Sequence, residues 1–200
     1  MGKFHTRKKG EAIIFKLKEN MYTIAQRLEG QIVRFFDIVK KDMEFDNLDL
    51  NNISILFEVM VATTFVESKF AVGKPKNVKP NTRSYVHYWI SPYTSMDDNY
   101  KGVNGSFPFL GGKLVDFSNE YFYEADAPIV KANLDVTNDR DLIEKYELTN
   151  MWGEAIIERL VRYFETGIDR DDLKFEVFPL LWDDKEKFRP LTSRLPLPLR

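Results

Sequence analysis

The chain has 200 residues, 44% of them hydrophobic and 14% aromatic, which is enough to bury one substantial core. Its 29 Lys and Arg against 31 Asp and Glu leave a net charge of -2, so no global field draws it to nucleic acid or to an anionic membrane, and an electrostatic partner must meet a local patch. With no cysteine in the chain, disulfides, thiolate nucleophiles and cysteine-ligated zinc are excluded together.

The basic start, MGKFHTRKKG, runs into no apolar stretch long enough for a signal peptide, and no window approaches about 18 consecutive apolar residues. The chain therefore reads as soluble, cytoplasmic and without membrane contact. Residues 12–17 (AIIFKL) and 21–28 (MYTIAQRL) carry β-branched or aromatic side chains at close to every second position, the pattern of strands. Residues 18–20 supply a tight hairpin connection and Gly30 the next turn. Residues 31–40 (QIVRFFDIVK) continue as a third strand, because β formers dominate them. After a polar break at 42–52, residues 53–66 (ISILFEVMVATTFV) read as one long, bent strand in the interior of the sheet, with a buried helix as the alternative.

Residues 69–101, with Pro75, Pro80 and Pro92, read as a loop, one strand at 85–90 and a second loop. Glycines crowd 102–112, and 117–124 (FSNEYFYE) reads as a further strand. A short helix is predicted at 139–147, capped by Asn138 or Asp139. The clearest helix spans 153–166, where Ile156, Leu160, Tyr163 and Phe164 share one face and Gly167 marks the end. Residues 173–182 (LKFEVFPLLW) return to alternation broken by Pro179, which fits an edge strand. Strands first and helices later give an α+β fold: an N-terminal antiparallel β meander or small barrel-like sheet, then one or two helices and an edge strand in the C-terminal half. The organisation predicted is a single α+β domain, 1–200, with any subdivision falling within 74–112.

Chemistry is sparse. His5 and His87 are the only histidines, and His87, in YVHYWI, reads as a sheet-face residue rather than a base. The segment GVNGSFPFLGG lacks the Lys-Ser/Thr of a phosphate loop and the spacing of a dinucleotide fingerprint, so it reads as a flexible loop. The pairs Asp97-Asp98, Asp139 with Asp141, Asp171-Asp172 and Asp183-Asp184 sit in apparent turns and caps, where Asp has ordinary backbone roles. No catalytic residue, metal site or cofactor is assigned, and the chain reads as a non-enzyme. Trp152 reads as a packing residue ahead of the long helix. Two stretches could meet a partner. One is basic and aromatic, 69–90, with Lys74, Lys76, Lys79, Arg83, Tyr88 and Trp89; it is the basis of an alternative reading as a nucleic-acid-binding module. The other is acidic, with Asp169, Asp171, Asp172, Asp183, Asp184 and Glu186 around Trp182, and would suit a basic protein anchored on the indole.

Gly10-Glu11 before AIIFKL, then MYTIAQRL, FFDIV and ILFEV, resembles the immunity protein 26 family of bacterial polymorphic toxin systems over residues 8–61, with a weaker echo in Asn150-Met151-Trp152-Gly153. The chain departs from that pattern at Glu19-Asn20, where Asp-Gly is usual, and at Ala25, where a Gly is usual. The resemblance implies a cytoplasmic antitoxin that binds a cognate toxin domain and blocks its active site, with no catalytic residue to carry over. On that reading the toxin is an enzyme with a basic groove, such as a nuclease, met by the acidic residues around Trp182, and nucleic acid is not itself the expected partner.

Overall fold

Backbone positions with positive φ close the first two turns of the sheet. The computed structural model describes residues 9–93, 110–118, 126–149 and 153–182. Strand β1 (Ala12–Lys18) and strand β2 (Met21–Arg27) pair antiparallel around Glu19-Asn20, with Asn20 in the left-handed region at φ 53°. Asn occupies that region more easily than most residues, so the turn closes without glycine. Gly30, at φ 57°, turns the chain into β3 (Ile32–Lys40). Strand β4 (Ile55–Met60) pairs with β3, and the short β5 (Ala71–Gly73) pairs with β1, all antiparallel. The order β4-β3-β2-β1-β5 is an open sheet, so the meander is present and the sheet is not closed into a barrel.

Both faces of this sheet are covered, which explains the nearly continuous apolar runs of its inner strands. On one face Ile14, Ile24 and Phe36 pack with Phe45 and Leu50 from the irregular segment that follows β3. On the other, the Phe15 ring stacks on Phe65 at 5.1 Å and meets Phe35 at 5.3 Å, and Phe35 meets Phe57 at 5.5 Å. Helix α2 (Gly153–Thr166) belongs to the same unit: the Arg159 guanidinium lies 3.9 Å from the Phe57 ring centroid, and Lys18 pairs with Glu165. A Cβ on Gly153 would come within 2.5 Å of the Phe65 ring, so the helix start needs glycine there for close approach.

Packing divides the chain into two units, Met1–Tyr85 with Trp152–Ile168, and Val86–Met151 with Asp169–Arg200. The second holds the sheet β6-β7-β8, from β6 (Tyr88–Pro92), β7 (Gly112–Asp116) and β8 (Ile129–Lys131). It also holds α1 (Arg140–Lys145) and α3 (Asp172–Val177). Its core gathers Ile90, Leu114, Ile143, Leu148, Leu173 and Val177.

Two expectations about elements are corrected. The 53–66 run is not one interior strand: β4 ends at Met60, lies at the sheet edge, and is followed by a 3-10 turn (Thr63–Glu67) that carries Phe65 to the core. Burial on both faces makes an edge strand look like an interior one in sequence. Residues 173–182 are not an edge strand: α3 replaces it, started by Asp171, whose carboxylate accepts a hydrogen bond from the Leu173 N–H at 2.9 Å. Leu173 and Val177 then share one helix face, and Pro179 follows the end. The strand expected at 117–124 lies almost wholly outside the described residues, of which β7 ends at Asp116. The two clearest helix expectations hold, α2 over its predicted span and α1 within 139–147 with Asp139 at its N-cap. There the Asp139 carboxylate is engaged by Lys131 and the Asp135 N–H rather than by its own helix.

Candidate functional site

Cross-strand register places Gln26 opposite Arg34 and Arg34 opposite Glu58, a polar row across β2, β3 and β4 on the face that carries Ile14 and Phe36. The row is buried: Arg34 is 0% exposed and Gln26 3%. A buried guanidinium must have its donors satisfied. Arg34 Nε and Nη2 donate to Glu58 Oε1 at 2.8 and 2.6 Å, Nη1 to Asn81 Oδ1 at 2.7 Å, and Nη2 also to the Ser84 carbonyl at 3.1 Å.

Asn81 belongs to a strap, residues 76–84, laid over this face. Gln26 exchanges two hydrogen bonds with the Asn81 main chain, at 2.9 and 3.1 Å, and Asn81 Nδ2 donates to the Leu50 carbonyl at 2.9 Å. Asn51, in the 3-10 turn Leu50–Asn52, repeats the device from the other side: its Nδ2 donates to the Pro80 carbonyl and its Oδ1 accepts from the Thr82 N–H and hydroxyl. Main-chain bonds between Asn47 and Lys76, Leu48 and Lys79, and Leu50 and Lys79 complete the attachment. At the strap's edge Lys79 pairs with Asp49 at 2.8 Å. That ammonium first, then the Asn51 side-chain amide and main-chain N–H, hold the Asp49 carboxyl well below its ordinary value of 3.8, at about 2.

Beside the strap, residues 51–55 and 81–83 line an open cleft of about 400 Å³. Asn51 and Asn81 are consumed by the framework. The Asn52 amide, the Ser54 hydroxyl and the Arg83 guanidinium make no hydrogen bond or ion pair among the described residues, and all three residues are exposed. Arg83 is the sole charged side chain on the lining.

A model of one family matches residues 3–183, nearly the whole chain. The chain belongs to that family, described as Domain of unknown function (DUF8309). No curated protein and no solved structure matches it.

In this DUF8309 chain the residues singled out from sequence are scattered. Asp169 is exposed, whereas Asp171 and Asp172 are only 2% and 1% exposed, with Asp171 spent on capping α3. Trp182 is half-buried against the second core, with the Arg170 guanidinium 5.2 Å from its ring centroid. Asp183, Asp184 and Glu186 lie outside the described residues, as do His5, Asp97, Asp98, Trp152 and most of the glycine segment. The described acids therefore do not form one solvent-facing patch.

In the basic segment Lys74 pairs with Glu11 and Lys79 with Asp49, while Trp89 is 1% exposed and donates its Nε1–H to the Val86 carbonyl. Tyr88 is exposed, and its ring meets Tyr146 edge-on. His87 precedes β6 and is half-buried. Among the described residues no three His, Asp or Glu gather as metal ligands, and no helix is long and apolar enough to cross a membrane. The polar row left one trace in sequence: Arg34 and Glu58 each interrupt a largely apolar run, the two runs being separated by the polar segment 42–52.

Proposed function

We propose that this chain is an immunity protein that binds and neutralises a cognate bacterial toxin domain in the cytoplasm by covering its active site. The residues that carry the resemblance to immunity protein 26 are those of the β1–β4 meander. The observation that carries the reading is the use made of the polar row: four hydrogen bonds from the buried Arg34 hold Glu58 and the strap. A surface fixed in this way loses little conformational entropy on binding, which is what a tight protein inhibitor requires. Neutralisation by coverage needs no chemistry from the inhibitor. The toxin of this reading has a basic substrate groove, as a nuclease has, and Asp169 with Trp182 contribute to the contact.

The test is co-expression with the toxin domain encoded beside this gene. Growth should be restored, and the two chains should co-elute as one complex. Loss of viability despite full expression of the chain, or separate elution, overturns the reading.

A further inference from the structure

Beyond the immunity reading, and independent of it, we infer that the cleft between residues 51–55 and 81–83 binds the oxyanion group of a small polar ligand, a carboxylate or a phosphate ester, on Arg83. It is an open surface cleft of about 400 Å³, with room for a small ligand to lie against Arg83. Its lining carries one charge, the Arg83 guanidinium, with no carboxylate to neutralise it. Arginine presents a planar fork of donors that matches carboxylate or phosphate oxygens two at a time. The Ser54 hydroxyl and the Asn52 amide are further donors on the same lining, and neither is engaged elsewhere among the described residues.

The main chain beneath Arg83 is held on both sides. Asn81 Oδ1 accepts from the Arg83 N–H at 2.9 Å and from Arg34, and Asn51 Oδ1 accepts from the Thr82 N–H at 3.0 Å. Two amide side chains and a buried arginine thus fix the backbone that carries an exposed, unengaged arginine. That is the division between a supporting framework and a binding group that a preorganised site requires.

The experiment is an amide NMR titration of the full chain with three probes at constant ionic strength: inorganic phosphate, adenosine monophosphate and citrate. Saturable shifts confined to residues 51–55 and 81–84 are expected with at least one probe. Arg83→Gln should weaken that binding by about tenfold or more, the scale of a lost charge-assisted bidentate contact. Its spectrum elsewhere should be unchanged, because the Arg83 side chain is exposed and holds nothing in place. Saturation by the two phosphates alone assigns a phosphate ester, and saturation by citrate alone a carboxylate. No saturable shift with any probe, shifts spread over the surface, or equal binding by Arg83→Gln overturns the site.

Discussion

At the scale of single residues, the first unit depends on Arg34. Its 0% exposure and four hydrogen bonds mean that replacing it strips Glu58 and Asn81 of a shared guanidinium inside the protein. Breaking a buried ion pair by removing one partner costs about 3–5 kcal/mol. Arg34→Ala should therefore lower unfolding stability by that order in urea, and Arg34→Met with Glu58→Leu should recover much of it. A loss below about 1 kcal/mol, the scale of one ordinary hydrogen bond, would show that the row does not hold the strap. Asp49 acts at the rim. Its carboxyl is depressed from 3.8 to about 2 by Lys79 and Asn51, so folding binds its proton more weakly than the unfolded chain does. Its contribution is complete above pH 3.8, and it is lost as pH falls from 3.8 through about 2. The stability gap between the wild type and Asp49→Asn should close across that window and shrink with added salt, since the pair is partly exposed. Parallel acid profiles of the two proteins would sink this assignment.

At the scale of elements, legibility follows from how many independent signals agree. Helix α2 was readable because a 14-residue amphipathic period and a stopping Gly167 coincide. The first three strands were readable because short turns at Asn20 and Gly30 fix their ends. Helix α3 was misread since Leu173, Phe175 and Val177 also fit a two-residue period, and six residues are too few for the two periods to separate. The signal that decides it is the cap: Asp171 as acceptor, Asp172 in the first turn and Pro179 beyond the end. In the 53–66 run nothing in composition marks the stop at Met60, because the following Phe65 is as deeply buried as the strand.

At the scale of the whole molecule, each unit is assembled from two separated pieces of chain, and α2 returns to the unit of the first sheet after the second unit has begun. A fragment ending at Tyr85 would keep all five strands of that sheet but lose α2, leaving part of the Phe15–Phe35–Phe57 face without its cover. Large exposed apolar faces destabilise and drive association. Fragment 1–85 should bind a hydrophobic dye and self-associate, and adding back a peptide of residues 152–168 should reduce both. A monomeric fragment with a native-like spectrum would show that α2 is dispensable to this sheet.

Sequence alone determined the α+β class, the hairpin meander, the long amphipathic helix and the composition that leaves no cysteine chemistry, because these rest on local period, turn chemistry and residue counts. Tertiary structure alone decided which charges are partnered and which are open. Register brings Gln26, Arg34 and Glu58 into one row, and the strap adds Asn81 from 47 residues beyond Arg34, a distance over which no local pattern speaks. The same long-range pairing engages Lys74 and Lys79, buries Asp171 and Asp172, and leaves Arg83 with no ion-pair partner among the described residues, so the candidate site emerged only where the folded chain had settled its own electrostatics.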